Sequence, residues 1–197
     1  MHAMAAPIIE REPTDAPHGL DDVTLRRAQN GDHAAWRVLV DCFSPRVHAL
    51  IWRLLAGRAQ HRAPDLTQET FVRVLRALPK FETRGAATLS TWILTIATRL
   101  ALNELRRPEP ALLADEPIGS AQVDRDVERK RLGEAIAAGV AALPDAQRAV
   151  LVLREYHELD YAEIASVLEL DLGTVKSRLS RARAELRAFL TARGVDR

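Results

Sequence analysis

The chain contains very little cysteine and no arrangement of residues that is typical of a metal centre or an active site. Cys42 is the only cysteine among 197 residues, so neither a disulfide within the chain nor a metal site made of cysteine alone is possible. A single cysteine also suits a reducing compartment. The six histidines are scattered, and neither a glycine-rich phosphate loop nor a Ser/His/Asp arrangement is present. We therefore predict no catalytic residue, no bound metal and no cofactor.

Long hydrophobic runs are also missing. No apolar stretch approaches the roughly 20 residues that a membrane helix needs, so we expect no membrane insertion and a cytoplasmic protein. Residues 1–19 hold three prolines and four charged side chains, and they lack the apolar segment of a signal peptide. This composition predicts a disordered N-terminal arm.

Aromatic residues are few, and no segment alternates between apolar and polar residues for long. The apolar content is mostly Ala, Leu and Val, which favours helices over strands. Apolar residues recur at the spacing of a helix face in three segments of the first half, residues 36–54, 66–78 and 89–105. Asp32 is placed to cap the first of them, and Ser44-Pro45 predicts a junction or kink within it.

The fold class that we predict is all-α, with two small helical domains joined by a flexible linker. The first domain would span residues 20–107, and a linker rich in Pro and acidic residues would follow over 108–124. A second, smaller apolar core predicts a domain over 125–190 and a tail over 191–197. We further expect that the two domains share no large interface, which would leave apolar and basic surfaces open to a partner.

Charge is distributed unevenly although the net charge is only +1. Residues 20–107 carry 14 Lys/Arg against 8 Asp/Glu, and residues 173–187 carry 5 against 1. The stretch between them is acidic, with 4 against 7 over residues 108–142. Two basic regions on either side of an acidic one indicate a polyanionic partner.

A helix-turn-helix is indicated near the C-terminus. Residues 161–168 form a short amphipathic segment, residues 169–172 a turn, and a second helix starts at Gly173 with Thr174 near its cap. Val175 and Leu179 fall on the buried face of the second helix together with Ala182 and Leu186. The remaining faces are polar and basic, which suits contact with phosphates and base edges in a DNA major groove.

These motifs together resemble the sigma-70 family of bacterial RNA polymerase, in particular its extracytoplasmic-function group. Residues 143–187 resemble domain four, with the strings LPDAQRAVL, YAEIASVL and GTVKSRLSRAR. Residues 22–107 resemble domain two, with NGDHAAW, DLTQETF and TWILTIA. The order and spacing of the strings fit the family. The chain departs from it at Glu169, where the turn usually has Gly, at Arg99, where many relatives have Asn, and in the loop 81–88.

The resemblance implies a promoter-directing subunit with three partners: core RNA polymerase through its largest and second-largest subunits, promoter DNA, and an anti-sigma factor. It implies that the acidic face of the DLTQETF segment binds polymerase, through Asp65, Gln68 and Glu69. The minus-ten element would be recognised and melted by domain two, through Arg84, Arg99, Asn103, Arg106 and Arg107. The minus-thirty-five element would be recognised by the helix-turn-helix, through Thr174, Lys176, Ser177, Arg178, Ser180, Arg181 and Arg183.

Three other functions compete with this interpretation. A DNA-binding regulator that does not join polymerase would explain the helix-turn-helix and leave the domain-two strings unexplained. An enzyme lacks supporting residues. A polymerase-binding adaptor or anti-sigma-like protein would need no basic recognition helix. Only a sigma factor makes initiation promoter-specific when it is added to core polymerase.

Overall fold

The helical periodicity of the sequence is realised throughout the described part of the chain. The computed structural model describes residues 20–82, 87–107 and 127–195, and within these ranges all regular structure is helical, which confirms the all-α class. The predicted arm, the linker and Arg84 lie outside the described residues. The α-helices are α1 Asp22–Gln29, α2 His33–Leu54, α3 Ala63–Ala77, α4 Leu89–Leu105, α5 Val127–Ala142, α6 Asp145–Glu155, α7 Tyr161–Leu168 and α8 Leu172–Thr191, with 3₁₀ turns at Gln60–Arg62 and Leu78–Lys80.

Helix α2 begins where its capping residue predicts. The carboxylate of Asp32 accepts hydrogen bonds from the backbone N–H groups of Ala34 (2.9 Å) and Ala35 (3.2 Å). The junction predicted at Ser44-Pro45 does not form, because α2 continues through Pro45 to Leu54. Phe43 and Val47, on either side of Pro45, are both buried and hold the two halves of the helix in the same core.

Two helical units are built around α2 and α8. In the first, α2 packs against α1, α3 and α4, and its fully buried side chains include Leu39, Leu50 and Ile51. In the second, α8 packs against α5, α6 and α7. No helix in the described part of the chain has the length and apolar content that crossing a membrane would require.

The expectation of two domains without a large interface is wrong. Helix α4 packs along α7, α2 packs along α6, and the buried residues of both units belong to one continuous hydrophobic cluster. The physical reason lies in α4, which is apolar on more than one side. Besides the predicted stripe of Ile93 and Leu100, it buries Leu94, Ala97 and Ala101. One face of α4 therefore meets α2 and α3, while another remains available to α7.

Buried polar groups also join the two units. The guanidinium of Arg148, on α6, is almost fully buried and donates to the backbone oxygen of Leu54 at the end of α2 (3.0 Å). Arg46 of α2 donates in turn to the backbone oxygen of His157 (2.7 Å), just after α6. The first bond satisfies a carbonyl that the end of α2 leaves without an intrahelical partner, and the second satisfies a carbonyl in the turn after α6.

His157 is buried in a neutral form. Its side chain is 3% exposed, and both ring nitrogens lack a hydrogen-bond partner among the described residues. Burial, with smaller contributions from the charges of Arg46 and Arg53, lowers the pKa of His157 to about 4. Within the described residues no His, Cys, Asp and Glu group is arranged to hold a metal ion.

We expect acid to destabilise the fold through His157. Its folded-state pKa lies below the ordinary value of 6.5, so the unfolded chain binds more protons as the pH falls from about 6.5 towards 4. Between pH 7 and pH 5 this group should lower the free energy of unfolding by about 2 kcal/mol. Urea denaturation at the two pH values should show that loss in the native chain and a clearly smaller one in His157→Phe. His33→Gln, which alters an exposed histidine, is the control; equal losses in all three proteins would contradict the assignment.

Candidate nucleic-acid and polymerase interface

The helix-turn-helix consists of α7, the turn residues 169–171 and α8, and both helices have well-formed caps. Asp160 and Glu163 make a reciprocal capping box on α7, with Asp160 accepting from Glu163 N–H (2.8 Å) and Glu163 accepting from Asp160 N–H (2.9 Å). The cap of α8 is Asp171, which accepts from the N–H (2.7 Å) and hydroxyl (2.6 Å) of Thr174. These bonds lower the pKa of Asp171. The helix thus starts earlier than the sequence predicts, because an aspartate three residues before Thr174 is the better acceptor.

The turn contains a strained residue. Glu169 ends α7 with φ 54° and ψ 49°, a left-handed conformation that is unfavourable for a side chain with a Cβ atom and easy for glycine. The sequence marks this position as one where the family usually has Gly. The departure from the family pattern at Glu169 therefore falls on a residue with a positive φ.

Helix α8 has the buried stripe that the sequence predicts. Val175, Leu179 and Ala182 are buried against α6 and α7, and Leu186 packs beside them. Of the residues assigned to DNA, Thr174 is half-buried, and the exposed ones are Lys176, Ser177, Ser180, Arg181 and Arg183.

Two arginines of α8 are less available than the sequence suggests. Arg178 was expected on the exposed side, but it is half-buried and lines a groove of about 360 Å³ together with Leu102 and Leu105 of α4 and with Arg106, which follows that helix. Arg183 is exposed, yet its guanidinium donates twice to the same oxygen of Glu155 on α6, at 3.0 and 2.6 Å. Sequence spacing identifies the side of the helix and carries no information about these partners.

The three residues assigned to polymerase binding are all exposed on α3. Asp65 pairs with Arg62 (2.8 Å) and Glu69 pairs with Arg73 (2.9 Å), so two of the acidic groups have partners within the chain. Gln68 lies instead at the edge of a groove of about 860 Å³ between α2 and α3. These ion pairs therefore partly neutralise the acidic face, and the face adjoins the groove between α2 and α3.

That groove is apolar, and sequence reasoning missed it. Trp36 and Phe71 form part of its wall with their rings edge to face at 6.4 Å, and Val72 and Leu75 are 39% and 47% exposed. The sequence placed Leu75 in the buried stripe of its helix. A signal was nevertheless present, because Val72 falls outside that stripe and an apolar residue there indicates a second apolar face.

The residues assigned to minus-ten DNA that lie on α4 or directly after it form two groups. Arg99 is exposed and its guanidinium pairs with Glu169 of the turn at 2.7 Å. Asn103 accepts from Arg106 (3.0 Å), and Arg107 pairs with Glu104 (3.0 Å), at the C-terminal end of the helix. The second group also borders Asp65 and Glu69 across a small groove, so the two predicted surfaces adjoin.

These features together define a helical DNA-binding protein, with a helix-turn-helix packed on a second helical unit. Comparison with known proteins gives the family. Residues 39–109 match the family described as Sigma-70 region 2, and residues 133–186 match Sigma-70, region 4. The SigE extracytoplasmic-function sigma factor of Mycolicibacterium smegmatis is 37% identical over 91% of this chain and 70% of its own length. The sigma-E factor of Escherichia coli K12 is 31% identical over 83% of this chain and 90% of its own length.

A solved structure has the same fold. The sigma factor RpoE of Bartonella quintana, determined in complex with the anti-sigma factor NepR, superposes with a TM-score of 0.66 at 23% identity, over 82% of this chain and 98% of its own. The chain belongs to the extracytoplasmic-function sigma factors of the sigma-70 family. Such proteins are transcription initiation factors and not a family of enzymes, and directing initiation at promoters is the function of this chain.

Proposed function

We propose that this sigma factor divides its tasks between two domains, residues 20–107 and 125–190, with residues 108–124 as the linker between them. The first domain would bind core polymerase and the minus-ten element, and the second the minus-thirty-five element. The observation that supports this most directly is α8, which buries one stripe and exposes Lys176 and Arg181 on the other side of a capped helix-turn-helix. That geometry suits insertion into a major groove. A regulator that never joins polymerase would not account for the match to Sigma-70 region 2.

For DNA, we propose that basic and polar side chains bind the minus-ten element, with Arg99 and Asn103 of α4, Arg106 and Arg107 directly after it, and Arg84 before it as the contacts. On α8, the proposed minus-thirty-five contacts are Thr174, Lys176, Ser177, Arg178, Ser180, Arg181 and Arg183. The contacts that these side chains make within the chain divide the proposed DNA-binding residues into two groups. Lys176 and Arg181 are exposed, whereas Arg99, Arg178 and Arg183 must leave their present surroundings before they contact DNA.

For core polymerase, we propose a surface made of Asp65, Gln68 and Glu69 and extended by the neighbouring apolar groove. Polar residues at the rim of an interface give specificity and association rate, while apolar residues at its centre give most of the affinity. Gln68 lies where the polar residues meet the apolar groove, and the exposed Val72 and Leu75 supply the apolar part of the surface. The occupant would be a helical segment of the largest polymerase subunit with basic residues beside an apolar stripe.

The polymerase surface is tested by changing its three polar residues together. We expect Asp65→Ala/Gln68→Ala/Glu69→Ala to raise the Kd for core polymerase at least tenfold, since a loss of about 1.4 kcal/mol is enough for that factor. Fluorescence anisotropy of the labelled chain titrated with core polymerase measures it. Glu134→Ala, which removes an exposed acidic residue from α5, should leave the Kd unchanged.

An unaltered Kd for the triple variant would place the polymerase surface elsewhere. The whole proposal is tested by adding the purified chain to core polymerase and a promoter library, and sequencing the transcripts. Initiation at a defined set of promoters is expected, and random initiation would contradict it.

We further propose that the chain acts in the cytoplasm and is held inactive by an anti-sigma factor. Support comes from the solved complex of RpoE with NepR, which shares this fold, and from the apolar groove, which offers an inhibitor the same surface as polymerase. Purification of the chain from its own unstressed cells should recover a second specific protein in stoichiometric amount. Recovery of polymerase with no such protein would contradict this part of the proposal.

A further inference from the structure

The guanidinium of Arg183, on helix α8 of the helix-turn-helix, is held by a carboxylate from another helix. Its Nε and Nη2 atoms both donate to Oε1 of Glu155, at 3.0 and 2.6 Å. These hydrogen bonds raise the pKa of Arg183 above its ordinary value. Glu155 is the last residue of α6, where the partial negative charge of the helix C-terminus opposes a carboxylate. The pairing therefore gives a favourable partner to a charge whose position in its own helix is unfavourable.

Arg183 lies on the side of α8 that is proposed to face DNA. It follows Lys176 by seven residues, or about two helical turns, so the two exposed side chains share one face and lie about 10 Å apart along the axis. The N-terminal residues of a recognition helix reach base edges, whereas residues further along lie beside the DNA backbone. Arg183 would therefore contact a phosphate, and such a contact does not depend on the base sequence.

The two cations of this face differ in what they must give up to reach a phosphate. Within the described part of the chain Lys176 makes no ion pair, whereas Arg183 must leave Glu155. For Arg183 the phosphate contact therefore replaces one ion pair with another. The exchange also leaves the carboxylate of Glu155 unpaired beside the negatively charged backbone. Both effects reduce the free energy that this phosphate contact contributes.

We propose that Glu155 limits the affinity of the helix-turn-helix for DNA, because its carboxylate competes with the DNA backbone for Arg183. Glu155 would lower the affinity for every sequence by a similar factor and leave the preference among sequences unchanged. A lower uniform affinity shortens the time that the protein spends on the many non-specific sites of a genome. The inference rests on the proposed binding of α8 to the minus-thirty-five element. It adds a residue of α6 that is not among the proposed DNA contacts.

The size of the effect follows from the exposure of the pair. The side chains of Arg183 and Glu155 are 47% and 44% exposed, so separating them should change the Kd for DNA only about two- to fivefold. Salt dependence is the more specific measure. Each phosphate that a cation neutralises releases counterions and steepens the slope of log K against log salt by about 0.9. Arg183 is shared between Glu155 and the backbone in the native chain, so removing Glu155 should steepen that slope by up to about 0.9.

The test measures DNA binding by the holoenzyme, assembled from the full-length chain and core polymerase. Fluorescence anisotropy compares two labelled duplexes over a range of salt concentrations. One carries a minus-thirty-five element recovered from the library experiment, and the other carries a scrambled version of it. At low salt, Glu155→Gln should bind both duplexes about two- to fivefold more tightly than the native chain, with a steeper salt slope. The ratio of the two Kd values should stay the same, in contrast to Arg178→Ala.

Matched controls separate competition for Arg183 from charge and from folding. Glu185→Gln removes an exposed acidic residue of α8 whose described partner is the neutral Gln147, and it should leave the salt slope unchanged. In a chain that already carries Arg183→Gln, Glu155→Gln should have no further effect. Glu155→Ala, which keeps no hydrogen bond to Arg183, should behave like Glu155→Gln. Thermal unfolding followed by circular dichroism should show no loss of stability in either variant, because Glu155 is exposed and opposes the dipole of α6.

Three outcomes overturn the inference. A Kd and a salt slope of Glu155→Gln equal to the native values would show that Glu155 does not compete with DNA. Weaker binding by a folded Glu155→Gln would show the opposite role, in which the pair orients Arg183 towards DNA. An equal gain in the Arg183→Gln background would assign the effect to charge alone. In all three cases the native holoenzyme would still prefer the minus-thirty-five duplex, whereas a native holoenzyme without that preference would contradict the proposed function, and the inference with it.

Discussion

Replacing Arg148 by alanine is expected to lower the free energy of unfolding by about 3–5 kcal/mol, a large part of the stability of a small helical protein. The guanidinium is 4% exposed and donates to four backbone oxygens, at distances of 2.7–3.1 Å. It also pairs with Asp145 at 3.2 Å. The four oxygens are those of Val140, Leu54, Ala141 and Leu143. Without the guanidinium, the last three lose the donor described for them, whereas the Val140 oxygen still accepts from the N–H of Leu143 at 3.2 Å.

Urea denaturation followed by circular dichroism measures the effect. Arg148→Met keeps most of the side-chain volume and should lose nearly as much stability as Arg148→Ala, because the missing donors and not the cavity dominate. Arg187→Ala removes an exposed arginine from α8 and should change stability by less than about 0.5 kcal/mol. If Arg148→Met were as stable as the native chain, the carbonyls would be satisfied in another way and the interpretation would fail.

Replacing Arg178 by alanine is expected to lower transcription from promoters that depend on a minus-thirty-five element by roughly tenfold. A lost bidentate contact with guanine costs about 1–3 kcal/mol, and 1.4 kcal/mol is a factor of ten. Transcription from paired templates with the native and a scrambled minus-thirty-five element measures it, and the variant should discriminate less between them. Lys176→Ala is the comparison, because a lost phosphate contact weakens binding to all sequences alike.

Because Arg178 lies between α8 and α4, the same experiment also tests whether its role is packing and not DNA binding. If the arginine served only to pack α8 against α4, Arg178→Ala would initiate from both templates as well as the native chain. Retained promoter use with lost polymerase binding would be a different contradiction, because it would exchange the two surfaces proposed for α3 and α8.

The different surroundings of Arg148 and Arg178 illustrate how little a charge reveals by itself. Both are arginines in amphipathic helices of the C-terminal half, and no local pattern distinguishes them. Arg148 is buried among carbonyls, whereas Arg178 lines an open groove. The helix-turn-helix motif draws attention to Arg178, whereas nothing in the sequence indicates that Arg148 is buried.

The acidic face of α3 is a second case in which the sequence does not reveal the surroundings of a side chain. The spacing of Asp65, Gln68 and Glu69 correctly predicted that all three would be exposed on one helix. It could not predict that Arg62 and Arg73 pair with the two carboxylates, or that an apolar groove lies beside Gln68. Whether polymerase uses this face stays a prediction until the triple variant is measured.

The sequence by itself determined the all-α class, the helix-turn-helix, the cap at Asp32 and membership of the sigma-70 family. These depend on spacing within about 20 residues, where helical periodicity and capping chemistry act directly. Only the tertiary structure decided that α4 packs on α7, that Arg148 is buried, and that Arg99 pairs with Glu169. Helical periodicity predicts that a helix has an apolar face, but it does not indicate which other helix packs against that face. The partners that decided these points lie 70 and 94 residues away along the chain.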